Sequence, residues 1–257
     1  MSLLNQKTIL LTGIASNRSI AYHIGQACVR EGAQLIVTYP NERMQARVDK
    51  LCNDWPVVAS LHCDVADDAS LQKLHDDLST KNIKLDGLVH AIAYAERSQI
   101  HGDFIAELQR NHFLDAMNIS AYSLPAMCQA LSPLFNPKAS IMTLSFIGAH
   151  LATPNYNVMG VAKAALESSM RYAARDFGKQ DIRVNAISAG PIKTLAASGI
   201  HGFKEMLQRD ADITPLPGNT QPEEVANHSA FLLSDLSQGM TGQVLYVDHG
   251  YHFSAAT

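Results

Sequence analysis

Short runs of consecutive apolar residues alternate with amphipathic stretches along nearly the whole chain. The runs at 8–11, 34–39, 57–63, 85–91, 139–145, 182–187 and 243–248 read as seven strands. Apolar positions at helical spacing fill the intervals: up to Arg30 ahead of Glu31-Gly32, then 41–52, 68–78, 110–134, 155–178 and 223–233. Strands alternating with helices at this spacing predict a parallel sheet covered by helices on both faces, with a ligand across the carboxyl ends of the strands. Those ends carry Tyr39, Asp64 and the run from His90 to Tyr94.

Two segments depart from the alternation. Pro125 falls inside the 110–134 helix and predicts a break or bend there. Between the sixth strand and the last helix, 195–209 combines a small-residue turn with an amphipathic stretch bearing Ile200, Phe203, Met206 and Leu207. In so regular a pattern such an insertion reads as a lid, placed at about 194–210. No repeat, linker or low-complexity run divides the chain, so a single domain over 1–257 is expected.

Composition narrows the function classes. An apolar share of 47% supports a substantial core, and 20 basic against 24 acidic residues, with no block of like charge, argue against nucleic acid as a partner. No apolar run reaches 18 residues and the first residues are too short and polar for a secretory signal, so a soluble, unprocessed protein is expected. Cys28, Cys52, Cys63 and Cys128 lie far apart and read as reduced, packed thiols of a cytoplasmic protein. His249, His252 and His62-Cys63-Asp64 do not bring together the three or four ligands a metal site needs, so no metal is expected.

The candidate chemistry centres on Tyr156 and Lys163. On one helix, seven positions are about 700° of rotation and about 10.5 Å of rise, so the phenol and the ammonium share a face at different heights. A nearby positive charge favours the ionised phenol, and either protonation state can serve as donor or oxyanion partner. After the first strand, Thr12-Gly13 opens a small-residue loop with Ser19 and Ala21 before the first helix. Strand, small-residue turn and helix can aim backbone amides and a helix dipole at a phosphate, and a plain tight turn would look the same. Asp64 suits an adenine or ribose contact or a cap on the next helix.

Thr12-Gly13, Asp64, the Tyr156/Lys163 helix and Ser188-Ala189-Gly190-Pro191 together resemble the short-chain dehydrogenase/reductase superfamily, whose fold is Rossmann-like. More narrowly, the chain resembles the bacterial NADH-dependent enoyl-[acyl-carrier-protein] reductases of fatty acid synthesis. Two spacings carry this. Ordinary superfamily members have tyrosine and lysine four apart, whereas Met159 stands four before Lys163 here, and the glycine loop has the form Gly13-x5-Ser19-x-Ala21. The resemblance implies hydride delivery from NADH to C3 of a trans-2-enoyl thioester, with Tyr156 hydrogen-bonding the enolate oxygen and Lys163 holding the nicotinamide ribose.

It also implies cofactor contacts by Gly13, Ser19, Ile20, Asp64, Val65, Ile92, Ile192 and Thr194. Ala93, Tyr94, Ala95, Phe146, Met159, Ile200, Phe203 and Met206 would line the substrate side. An acyl carrier protein bearing the enoyl chain is the implied partner. A homotetramer is the implied assembly, with Gly160, Ala164, Ala165 and Ser168 permitting tight helix packing between subunits.

The chain departs from the family pattern in three places. Phe146 stands where many members have a second tyrosine, so no proton can pass through a hydroxyl there. The lid has only His201, Lys204 and Glu205 where members can show several basic residues, which leaves Lys193 and Arg209 as other contacts for an acidic carrier. After Tyr39, Pro40-Asn41 lacks a cation, which favours NADH over NADPH, while Arg43 keeps a 2′-phosphate contact open. A 3-oxoacyl thioester reductase and a non-catalytic nucleotide-binding relative are the competing readings.

Overall fold

The structure is a computed structural model that describes residues 2–195, 197 and 200–254. Its centre is one seven-stranded sheet: β1 (Thr8–Leu11), β2 (Gln34–Tyr39), β3 (Val57–His62), β4 (Leu85–His90), β5 (Phe135–Ser145), β6 (Arg183–Ala189) and β7 (Val244–Val247). The order is β3-β2-β1-β4-β5-β6-β7 and every pairing is parallel. Parallel neighbours require a crossover on each connection, and right-handed crossovers on either side of β1 distribute helices to both faces.

Alternation of side chains along the strands then splits the core in two. Leu10, Ile36, Leu88, Ile141 and Val184 face α3 (Asp68–Thr80), α5 (Ser123–Leu131) and α6 (Asn157–Phe177). Their neighbours Ile9, Leu11, Leu35, Val37, Val89 and Ile187 face α1 (Ile20–Arg30), α2 (Glu42–Leu51) and α8 (Pro222–Leu233). Strands buried on both faces explain why the sequence shows continuous apolar runs there.

The 110–134 helix breaks as Pro125 predicts, by a specific route. It divides into α4 (Arg110–Met117), a π-helical turn (Asn118–Tyr122) and α5. Proline at position 125 has no N–H for the carbonyl of Ala121 and its ring crowds that carbonyl, so the chain widens just before it. The widened turn aims Ser120 and Ser123 at the end of β4, where Ser120 Oγ accepts from the Tyr94 amide at 2.8 Å and donates to the Tyr94 carbonyl at 2.8 Å.

β5 begins before the expected position 139. Leu85 opposes Phe135 and Gly87 opposes Ser140, so β5 carries extra residues there, with Lys138 at φ 65°. The helix expected at 155–178 starts later: Asn155 and Asn157 have positive φ, α6 begins at Asn157, and Gly178 is its C-cap. Tyr156 is therefore the residue before the helix, but its φ of −85° and ψ of −31° are near-helical, so its phase relative to Lys163 survives. In the insertion, α7 (Phe203–Ile213) is helical, while 196, 198 and 199 of the expected 194–210 lid lie outside the described residues.

Gly13 is where the fold tolerates least change. Its φ is 83°, and a Cβ there would stand 2.0 Å from the Ala91 carbonyl oxygen. Gly13→Ala is expected to lower stability by about 2 kcal/mol. Gly178, with open space around its Cβ position, should accept alanine within about 0.5 kcal/mol. Equilibrium urea denaturation of both variants checks the contrast.

Candidate active site

The site is built at the carboxyl edge of the sheet, beside the point where the chain leaves β1 toward β2 on one side and returns as β4 on the other. Thr12 ties these strands together: its Oγ1 donates to the Val89 carbonyl at 2.9 Å and accepts from the Ala91 amide at 3.0 Å. Gly13 can then turn the chain hard against Ala91. The loop that follows is braced by Ser19, whose Oγ accepts from the amides of Ala15 at 3.2 Å and Ser16 at 3.1 Å and donates to the Ser16 carbonyl. Ser19 is the N-cap residue of α1, yet its hydroxyl is spent on the loop and caps no helix amide. A small-residue loop leading into a helix N-terminus is suited to the oxygens of a diphosphate.

The other ends of the strands contribute less evenly. Asp64 Oδ1 accepts from the Ala66 amide at 3.0 Å, closing a turn after β3, and the cap on α3 is Asp67, three residues beyond the expected one. Val65 is buried, Ile92 is half-buried and Ala93 is exposed. Tyr94 is 45% exposed and its hydroxyl donates to Glu96 at 2.9 Å, outside the cluster around Tyr156. Ile192 is buried at the end of β6, and Thr194 Oγ1 accepts from the Ala197 amide at 3.0 Å.

Tyr156 is buried with Met159, Val158, Ile100 and Ala116, and Ala95, Phe146, Phe113 and Ile200 pack against them. Five expected substrate-side residues, Ala95, Phe146, Tyr156, Met159 and Ile200, are thus gathered in one apolar cluster. Phe146 meets the phenol ring edge-on, with centroids 4.8 Å apart. Gly148 lets the ring lie flat on the chain, since a Cβ there would be 2.5 Å from Tyr156 Cδ1. Gly160 has a reason within the subunit: its Cβ would be 2.7 Å from the Gly148 carbonyl. That contact accounts for this glycine without a neighbouring subunit. Phe203 and Met206 are half-buried on α7. Phe203 lines a cleft of about 680 Å³ between the 97–107 segment and the insertion, with Arg97, His101, Lys193, Ile200 and His201.

Lys163 is buried on the α6 face that meets β5, and its Nζ donates to the Leu144 carbonyl at 2.8 Å. Burial pulls its pKa down to about 8, partly offset by the Glu167 carboxylate. Of the two protonation states left open for Tyr156, burial favours the neutral phenol by raising its pKa. Tyr156 is therefore a neutral hydrogen-bond donor, because loss of hydration outweighs the distant ammonium. His90, also fully buried, is held neutral with its pKa near 3 by burial and by the charge of Lys163. Its ring bonds Thr143 Oγ1 at 2.9 Å and Ser123 Oγ at 2.8 Å, joining β4, β5 and α5 behind the site.

The match to known proteins is extensive. The family model described as "Enoyl-(Acyl carrier protein) reductase" matches residues 13–252. The chain belongs to this family. It is 46% identical over 255 residues to the enoyl-[acyl-carrier-protein] reductase [NADH] FabI of Escherichia coli K12, covering 99% of this chain and 97% of that one. The Bacillus cereus enoyl-acyl carrier protein reductase, solved with NADP+ and indole naphthyridinone, superposes with a TM-score of 0.95 at 41% identity and 98% coverage of both chains. The Anaplasma phagocytophilum reductase, solved with NAD, gives 0.92 at 40% identity, covering 97% and 95%.

Several residues that shape the candidate site of this enoyl reductase family member leave little signal in the sequence. Thr12 reads from the sequence only as part of a loop, and no motif marks Ser120, Ser123, Gly148 or Glu167. Glu167 was the most accessible of these, lying one helical turn after Lys163. The histidines weighed as metal ligands have other partners: His249 bonds Glu224 at 2.9 Å and Gly218 O at 2.9 Å, His252 bonds Asp248, and His62 bonds Pro40 O at 3.0 Å. The four cysteines are free and buried, and burial pushes their thiols up to about 12.

The depressed lysine has a measurable consequence. The folded chain releases the Lys163 proton near pH 8, whereas the unfolded chain keeps it to about pH 10.4. Between these values the unfolded state binds more protons, so this group makes stability rise with pH. Below about pH 8 both states are protonated and the full cost of burying the charge is present. Subtracting the stability of Lys163→Met from wild type across pH 7–10.5 in thermal melts without ligand should give a difference that climbs with pH; a flat difference would contradict the burial of the charge.

Proposed function

We propose that this enoyl reductase family member reduces the C2=C3 bond of trans-2-enoyl thioesters carried on acyl carrier protein, using NADH, in fatty acid synthesis. The observation that carries the reading is the neutral, buried phenol of Tyr156, seven positions before a buried lysine and walled by apolar side chains. In an enoyl thioester, negative charge develops on the thioester oxygen while hydride arrives at C3. A donor set one turn farther from the lysine than in ketone reductases suits that separation.

Residues at the carboxyl edge fit a dinucleotide: Gly13, Ser19 and Ile20 at the N-terminus of α1, Asp64 and Val65 toward adenine, Ile92 along the crevice, and Ile192 and Thr194 after β6. NADH supplies the hydride when bound. Lys163 uses one of its three donors on Leu144 and offers the others to the nicotinamide ribose hydroxyls. Tyr156 donates its O–H to the thioester oxygen, and the low-polarity wall of Phe146, Met159 and Ala95 strengthens that bond by keeping water out. Phe146 contributes no proton. After hydride transfer, C2 takes a proton as the enolate collapses.

Pro40 and Asn41 after β2 bring no cation toward the adenosine ribose, and Asn41 Oδ1 is engaged by the Met44 amide at 3.1 Å. This supports NADH over NADPH, with exposed Arg43 as the only cation in the first turn of α2. The acyl chain enters by the cleft under α7, so 194–210 acts as the lid of a single domain, with Phe203 and Met206 along the chain, Ala95 toward the thioester, and Ala93 and Tyr94 outside the apolar cluster around Tyr156. Lys193, Lys204 and Arg97 at the rim suit an acidic carrier. Leu114, Tyr122, Val161 and Tyr172 are exposed on α4, the π turn and α6, which supports burial against other copies and assembly as a homotetramer. Among the described residues no helix is long and apolar enough to cross a membrane, which supports a cytoplasmic location.

A ketone-reducing activity has less support, because Met159 occupies the position its tyrosine would need and is itself buried in the cluster. Purified protein should oxidise NADH with crotonyl or longer enoyl thioesters, leave acetoacetyl thioesters untouched, and turn over more slowly with NADPH. Absorbance at 340 nm follows all four combinations. Tyr156→Phe should lower turnover by about 10²-fold with little loss of NADH binding, and Lys163→Ala should weaken NADH binding; the reverse pattern would overturn the two roles.

A further inference from the structure

One fully buried carboxylate beside the site has no part in the chemistry described so far. Glu167 is 1% exposed, one turn after Lys163 on the same face of α6. A buried carboxylate is costly unless each oxygen is bonded. Both are: Ser145 Oγ donates to Oε1 at 2.5 Å, and His150 Nε2 lies 2.8 Å from Oε2. Ser145 ends β5 directly after Leu144, whose carbonyl holds Lys163, and His150 follows the short turn Ile147–Ala149 that carries Gly148 beneath the Tyr156 ring.

Spacing alone would let Glu167 close on Lys163 as an ion pair. That does not happen; among the described residues' ion pairs, Glu167 meets only His150. A direct pair would draw the ammonium down α6, away from the crevice. With Ser145 and His150 occupying the carboxylate, the negative charge acts on Lys163 through space while the ammonium stays on the Leu144 carbonyl.

We propose that Glu167, saturated by Ser145 and His150, is a positioning residue that keeps Lys163 charged at the cofactor crevice without pairing to it. The other titratable groups facing this pair are His90 from β4, Tyr156 before α6 and Tyr246 from β7. His90 is held neutral beside Lys163, and the Tyr246 phenol is raised by burial and by Glu167. Within this set Glu167 is the negative charge that offsets the burial of Lys163. Ser145, Ser188 and Tyr246 lie in register across β5, β6 and β7, so the carboxylate bonds the row in which β5 ends.

This inference rests on Lys163 holding the cofactor, as proposed above. The test is the pH dependence of NADH affinity, read by ligand fluorescence in wild type, Glu167→Gln, Glu167→Asp, Ser145→Ala and Lys163→Ala. Glutamine keeps the shape of the side chain and an oxygen for Ser145 but not the charge, and its amide N–H meets His150 Nε2 only in the tautomer that accepts there. Its alkaline loss of affinity should begin about one pH unit lower than in wild type, with aspartate restoring the wild-type profile in large part. Ser145→Ala frees one carboxylate oxygen for Lys163 and should move the alkaline limb the other way while lowering affinity at pH 7. A Glu167→Gln limb that coincides with wild type, in a protein whose Lys163→Ala variant binds NADH weakly, overturns this inference alone. Undiminished NADH binding by Lys163→Ala overturns it together with the role given to the lysine.

Discussion

Removing Lys163 and Tyr156 from water together is the constraint around which the site is arranged. Desolvation disfavours the charged form of each, so it weakens the hold of the lysine on its proton and tightens that of the phenol. The ammonium survives because Leu144 offers a carbonyl and Glu167 a nearby negative charge. The phenol has no such compensation and stays neutral. One physical effect thereby yields a cation suited to hydroxyl groups and a donor suited to a forming oxyanion, the donor on the N-cap residue of α6 and the cation two turns along the helix.

Holding those groups in place depends on backbone packing more than on side-chain bonds. Gly148 and Gly160 bring the turn after β5 into contact with the start of α6, and the Tyr156 ring is trapped between that turn and Phe146. Behind it, His90, Thr143 and Ser123 join two strands to α5 through fully buried hydrogen bonds. The π turn before Pro125 is what brings Ser123 and Ser120 within reach. A helix irregularity forced by a missing N–H has thus become a fixture of the site.

The insertion after β6 is organised differently. The buried residue of α7 is polar: Asp210 is 1% exposed, and its carboxyl is raised above the usual range by burial, against the Asn219 hydrogen bond. Asn155 spans the mouth of the cleft, accepting from the Gly102 amide at 3.1 Å and donating to the His201 carbonyl at 3.0 Å, while the rings of His101 and His201 meet with centroids 4.6 Å apart. These contacts join the segment after β4 to the insertion after β6 across the entrance.

What the sequence determined by itself was periodic or local. Seven apolar runs and the intervening helices gave the parallel sheet, Pro125 gave the break, and the Tyr156–Lys163 and Gly13–Ser19 spacings gave the family. Each of these signals lies within one element, where hydrophobic period and turn chemistry act over a few residues. The tertiary structure alone decided that the phenol is neutral, that Gly160 answers to Gly148, that Asp67 and not Asp64 caps α3, and that Glu167 is saturated by Ser145 and His150. Burial, and contacts between residues distant along the chain, arise only when strands and helices meet, and the linear pattern carries no measure of either.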